Sequence, residues 1–499
     1  MTENTAPTPS SGGLERPHRP ADTTVGELRA SGHAAKPLRQ EIRDNLLAAL
    51  SAGTDPWPGL HGFGRTVIPQ LERALIAGHD VVLLGERGQG KSRLLRTLVG
   101  LLDEWTPVIA GSELGEHPYE PITPVSIRRA EEMGDRLPVT WRHRDERYSE
   151  KLATPDTSVA DLVGDVDPIK VAEGRSLGDP ETIHFGLIPR SHRGIVAVNE
   201  LPDLAERIQV AMLNVMEERD IQIRGYVLRI PLDVLVVASA NPEDYTNRGR
   251  IITPLKDRFG AEIRTHYPVE LHDEVAVIRQ EAHLVADVPE WLLDILARFT
   301  RALRASTAVD QRSGVSARFS IAGAETVAAA ALHRATLAHE PEAVARVTDL
   351  HTAVDVLGGK VEFETGEEGR EEAILTHLLR TATAQTAREL LGGLDLGPLV
   401  AALEAGASVT TGDRVSAAEL LADLPDLSDH SDLSDLSGLS GQPGADGSPG
   451  TNLYDDIAER VGGSGEAHRA AAIELALEGL YLAKRIGKDS DGEATVYGV

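Results

Sequence analysis

The stretch HDVVLLGERGQGKSRLL, residues 79–95, decides the fold. Residues 81–84 are consecutive aliphatics, the pattern of a strand buried on both faces. Gly85-Glu86-Arg87-Gly88-Gln89-Gly90-Lys91-Ser92 follows at once with the spacing GxxxxGK[ST], and a helical pattern begins at Lys91. Strand, glycine-rich turn and helix in that order form a phosphate-binding loop. The glycines let backbone N–H groups wrap an anion, and the helix N-terminus adds partial positive charge. Lys91 is expected to reach the β/γ oxygens of a nucleotide, and the Ser92 hydroxyl to ligate Mg²⁺.

Working outward, three more strand patterns appear: GIVAVNEL (194–201), VLVVASAN (234–241) and EIRTHYP (262–268). Helical patterns separate them; Leu204, Ile208, Met212 and Val215 share one face. Short apolar strands alternating with helices predict an α/β fold, a parallel sheet covered on both faces. In 194–201 four apolar residues lead to Asn199 and Glu200, the place where a nucleotide-hydrolysing site carries its second pair of polar groups. Glu200 stands in the position of a general base. Asn199 stands where an aspartate is usual. Its amide can accept a hydrogen bond from metal-bound water but brings no charge, so Mg²⁺ is expected to be held more weakly, and Asn199→Asp to lower the Mg²⁺ requirement. Asn241 ends the next strand and would orient the attacking water if that strand lies between the other two.

The 499 residues hold 50 Lys+Arg against 78 Asp+Glu, a net charge of −28, which argues against broad binding to nucleic acid. Cys is 0, so disulfides, thiolate metal sites and thiol nucleophiles are excluded. No apolar run reaches the roughly 18–20 residues of a membrane span, and the first twenty residues lack the apolar core of a secretory signal. A cytoplasmic protein is expected. Residues 1–25, poor in aliphatics, read as a disordered tail, and 425–452, with Asp426, Asp429, Asp432 and Asp435 at every third position, as an acidic linker. Beyond it, 470–486 reads as a helix with Ile473, Leu477 and Leu480 on one face, either packed on the body or docking a partner. From Leu271 on the patterns are helical (291–304 and 321–337), apart from a strand-like run at 360–364. Of the 17 histidines, none shows metal-ligand spacing; His184 and His192 read as structural.

With these motifs in place, the chain resembles an AAA+ ATPase over residues 26–355, most closely the magnesium-chelatase ATPase subunit and MoxR-type relatives. The specific stretches are ADLVGDVD (160–167), HFGLIPRSHRG (184–194) running into the Glu200 strand, and EERDIQIRGYVLRIPL (217–232). The last resembles a hairpin, with Gly225 at its bend and Ile221, Ile223, Val227 and Leu228 on its arms. The resemblance implies an αβα nucleotide domain (26–270) and a helical lid (271–355); beyond it the residues read as a mostly helical extension (356–424) and a C-terminal helix (453–499). It further implies an enzyme that hydrolyses ATP with Mg²⁺ in a ring, with six subunits expected and sites between neighbours. Asn241 takes the position of sensor 1, Arg258 that of the arginine finger, and Arg318 that of sensor 2. Residues 111–154 read as an insertion matching no assigned element.

What such a motor acts on is not written in the motifs. The resemblance implies remodelling of a partner protein, and one bearing a von Willebrand A domain. A sigma-54-type transcription activator is the alternative, though no GAFTGA-like loop is present. A nucleotide-gated scaffold without turnover is a third reading, motivated by Asn199. Arg248, Arg250 and Lys256 lie near Arg258 in TNRGRIITPLKDR and are read as facing a neighbour's triphosphate rather than nucleic acid.

Overall fold

The computed structural model describes residues 18–173, 182–218, 221–223, 226–228, 230–241, 250–310, 314–427, 452–491 and 494–498. Gly225, Arg248, Asp429, Asp432 and Asp435 lie outside the described residues. The chain forms two compact units: Met1–Leu60, Arg65–Gly85 and Gly90–Thr265 in the first, His61–Gly64, Glu86–Gln89 and His266–Val499 in the second.

The first unit is built on five parallel strands: β1 (Val81–Leu84), β2 (Tyr148–Leu152), β3 (Gly194–Asn199), β4 (Val234–Ala240) and β5 (Ala261–Arg264). Their spatial order is β5-β1-β4-β3-β2. Register places Val81 opposite Val237 and Ala261, Val234 opposite Gly194, and Tyr148 opposite Ile195. Every residue of β1, β3 and β4 is buried, because helices cover both sheet faces. On one face Val82, Val196, Val198, Val236 and Ala238 join Ile208, Met212 and Val215 of helix Glu206–Glu218 in a single core. Helices Leu38–Ala52 and Val67–Ile76 pack against β4 and β5. The expected α/β architecture is present, and β4 lies between β1 and β3, the condition set for Asn241.

The reading of 111–154 as an insertion needs correction, because its last residues are strand β2 of the main sheet. The chain leading into it carries Arg147, whose guanidinium grips the buried Glu41 carboxylate at 2.6 and 2.8 Å and the Arg193 carbonyl at 2.8 Å. Residues 18–25 are also tied down. The Asp22 carbonyl accepts the Trp141 indole N–H at 2.9 Å, and Val25 is buried with Ile109, Leu137 and Val139.

In the second unit, one continuous core runs from Val275 to Tyr497. It gathers helices Leu271–Glu281, Glu290–Ala305, Ala317–Leu337, Glu371–Leu391 and Glu466–Leu482 with a three-stranded antiparallel sheet, Val409–Gly412, Ala494–Gly498 and Gly487–Asp491. Ile473 and Leu477 are fully buried and Leu480 nearly so, which excludes them as an exposed docking face. The 360–364 run does not form a strand; its Phe363 makes an isolated bridge to Val309. Among the described residues no helix is long and apolar enough to cross a membrane.

Candidate functional site

The loop after β1 is shaped by glycine where side chains cannot follow. Gly88 and Gly90 hold φ of 74° and 73°, in the left-handed region. A Cβ on Gly88 would lie 1.9 Å from the Ser316 Oγ, so the position admits glycine alone. Within the second unit, the Glu86 N–H donates to Gln89 Oε1 at 3.1 Å and the Arg87 carbonyl accepts from the Tyr267 hydroxyl at 2.7 Å.

The first-unit residues converge at the C-terminal ends of β1, β4 and β3. Lys91, buried at the start of helix Lys91–Thr97, donates from Nζ to the Gly85 carbonyl at 2.6 Å and to Asn241 Oδ1 at 2.7 Å. The Asn241 amide nitrogen donates to Glu200 Oε2 at 2.7 Å. Glu200 has φ 55°, a left-handed backbone costing a non-glycine residue about 1 kcal/mol or more. Its N–H is held by Ser239 Oγ at 3.3 Å. That conformation turns the chain at the end of β3.

Asn199 is buried beside this run. Its Oδ1 accepts from Ser239 Oγ at 3.1 Å and Ser92 Oγ at 3.4 Å, while its Nδ2 donates to Glu150 Oε1 at 2.6 Å. Glu150, on β2, receives two hydrogen bonds from Arg96, at 2.7 and 2.9 Å, and one from the Tyr148 hydroxyl at 3.2 Å. The Arg96 guanidinium holds the Glu150 carboxyl below the usual carboxylate range, with the Asn199 and Tyr148 bonds adding to it. Burial and the Glu150 charge push the Tyr148 phenol up. Lys91, Ser92, Asn199, Glu200 and Asn241 are thus brought together. Sequence reasoning missed Arg96, Glu150 and Ser239; the available signal was Arg96 four residues after Ser92, one helical turn along the same face.

The arginines sit elsewhere. Arg258 ends helix Thr253–Arg258, is partly exposed, and pairs with Glu217. Lys256 pairs with Glu262 at 2.9 Å. Arg250 is exposed, with its carbonyl accepting from Gln209 Nε2 at 3.2 Å. Arg318, in the second unit, is exposed; its N–H donates to Ser316 Oγ at 3.1 Å, at the start of helix Ala317–Leu337. His184 is exposed, and His192 is buried with Nδ1 accepting the Asp233 N–H at 3.1 Å. Burial pushes the His192 pKa down to about 3. Among the described residues no group of three or more His, Asp or Glu is arranged to hold a metal by itself.

Against known proteins, residues 174–258 match the family model described as the Sigma-54 interaction domain. The magnesium-chelatase subunit ChlI of Anabaena variabilis is 27% identical over 216 residues, 42% of this chain and 60% of that protein. Over these residues the chain is similar to AAA+ ATPases. The magnesium-chelatase 38 kDa subunit of Cereibacter sphaeroides is 28% identical over 216 residues, 41% of this chain and 56% of that protein. The chain therefore spans little more than half the length of these relatives. A cryo-EM-based complex of the BchI and BchD subunits of magnesium chelatase matches at 20% identity and a TM-score of 0.34, covering 64% of this chain and 98% of that one.

Proposed function

We propose that this AAA+ chain hydrolyses ATP with Mg²⁺ and couples hydrolysis to remodelling a partner protein. The observation that carries the reading is the unbroken hydrogen-bonded run Lys91–Asn241–Glu200, with Ser92 and Asn199 beside it, at the ends of adjacent parallel strands. The residues fit a nucleotide. Left-handed Gly88 and Gly90 open the backbone for phosphate, and a buried ammonium needs an anion or several acceptors.

Each residue then has a defined task. The cradle of Gly85, Glu86, Arg87, Gly88, Gln89 and Gly90 offers N–H groups to phosphate, and Lys91 exchanges the Asn241 carbonyl for β/γ oxygens. Ser92 ligates Mg²⁺, and Asn199 accepts from its hydration shell. Bound Mg²⁺ would offset charge on the β- and γ-phosphate oxygens. Freed from Asn241, the Glu200 carboxylate takes a proton from the attacking water, while the Asn241 amide orients that water. Arg258, released from Glu217, acts as the finger on a neighbouring copy's site in a ring, and Arg318 contacts nucleotide from the lid. A ring of six copies, the cytoplasm, and a partner with a von Willebrand A domain complete the proposal.

Glu200→Gln tests it. The variant should bind ATP and stop turnover, whereas Lys91→Ala should lose ATP binding altogether. Near-normal hydrolysis by Glu200→Gln would place the base elsewhere. The match to the Sigma-54 interaction domain favours a second reading, contact with a sigma factor. Capture of a sigma factor by the ATP-bound Glu200→Gln chain would select it.

A further inference from the structure

Asn199 leaves the divalent-cation site without its usual carboxylate, yet a carboxylate lies directly behind it. We propose that Glu150 is a positioning residue for that site, turning the Asn199 carbonyl toward Ser92. The inference rests on the reading that nucleotide and Mg²⁺ bind at Ser92.

An asparagine amide has two unlike ends, and only the oxygen can accept a hydrogen bond from metal-bound water. Which end faces Ser92 is decided by the partner of the other. An ionised carboxylate only accepts, so Glu150 Oε1, 2.6 Å away, claims the Nδ2 end. Asn199 Oδ1 is thereby directed to Ser92 and Ser239, at 3.4 and 3.1 Å. Glu150 is itself fixed by the two Arg96 bonds and the Tyr148 hydroxyl, and Arg96 stands on the helix that carries Ser92. The result is a closed frame, Ser92–Asn199–Glu150–Arg96, joining one helix to two strands. An exposed Arg–Glu pair alone would contribute little. The Glu150–Asn199 bond differs, because it reaches a side chain only 7% exposed whose other end meets Ser92.

The frame reverses the expectation for Asn199→Asp. With Glu150 unchanged, that substitution replaces the donor that Glu150 accepts from with a second acceptor, so the link from Glu150 to Ser92 is lost. The aspartate should help only when Glu150 has lost its charge.

The test uses the full chain with ADP and Mn²⁺, following Mn²⁺ binding by electron paramagnetic resonance, and ADP binding in EDTA separately. Glu150→Gln should weaken Mn²⁺ by about 10- to 100-fold, the range for residues that orient metal-site ligands, while ADP binding in EDTA is retained. Asn199→Asp alone should also weaken Mn²⁺, and the double variant should regain most of the loss. Unchanged Mn²⁺ affinity in Glu150→Gln would overturn the proposal, as would tighter Mn²⁺ in Asn199→Asp, which answers even if Glu150→Gln does not fold. A double variant no better than either single would reduce Glu150 to a structural role and overturn it as well. Loss of ADP binding by the unsubstituted chain, in EDTA and in Mn²⁺, overturns the nucleotide-site reading instead and this proposal with it.

Discussion

Leu477→Ala should destabilise the second unit strongly. Leu477 is fully buried, and in its helix, Glu466–Leu482, every residue from Ala470 to Glu478 is closed off from water. A helix buried on all sides gains its stability from packing rather than from a single apolar stripe. Truncating a core leucine costs about 2–5 kcal/mol, the spread reflecting how far the site can collapse. For a unit of this size 1 kcal/mol moves the melting temperature by about 2–4 °C, so the expected fall is about 4–20 °C. Scanning calorimetry on the full chain measures it, with Val356→Ala as control. Val356 is 59% exposed, and its truncation should stay within about 0.5 kcal/mol. Equal melting for Leu477→Ala and the control would refute the buried placement. By the same argument, removing residues 425–499 should unfold the second unit, because it strips the Glu466–Leu482 helix and two of the three strands of its sheet from one core.

Arg258→Ala should bind ATP yet lose roughly a thousandfold or more in turnover, the scale for arginine fingers. Mixing it with Lys91→Ala chains should restore part of the activity, and mixed rings that stay inactive at every ratio would exclude Arg258 as a finger in trans. Acid should destabilise the first unit: burial holds His117 and His192 down to about 3, so they stay neutral when folded but protonate near 6.5 when unfolded. The unfolded chain then binds more protons, and stability should fall progressively from about pH 6.5 toward pH 3, by about 2 kcal/mol per histidine at pH 5. Urea midpoints that do not move between pH 7 and pH 5 would contradict this.

The parts of the fold legible in the sequence are those where chemistry leaves few choices. Residues 81–92 announce themselves because a strand buried on both faces must be aliphatic throughout and the turn after it needs glycine at positive φ. Strand β2 stayed hidden for the opposite reason. Tyr148-Ser149-Glu150-Lys151-Leu152 lies at the sheet edge with one neighbour, and no residue in it is fully buried, so no apolar run marks it. The pattern of the C-terminal helix left packing and docking both open because Ala470, Ala471, Ala472 and Ala476 are buried yet too small to register as an apolar face. Its acids Glu474 and Glu478 are buried as well. Glu474 accepts the Thr348 N–H at 2.7 Å, and Glu478 accepts Lys488 Nζ at 2.7 Å, both inside the core. The alternation at 360–364 looked like a strand, but a strand exists only where a second one can pair with it.

The hidden strand bears directly on Asn199. Taken alone, an amide in place of a carboxylate is a deficit, and restoring the charge is the natural remedy. Once β2 is seen beside β3, with Glu150 at 2.6 Å from the amide nitrogen, a carboxylate is present one strand over and fixes which end of the amide faces Ser92. A charged residue at 199 would compete with Glu150, and a smaller one would break the link from Glu150 to Ser92. The neutral side chain is therefore the one that satisfies both neighbours, and the sign of the Asn199→Asp effect on Mn²⁺ distinguishes a weakened site from a rearranged one.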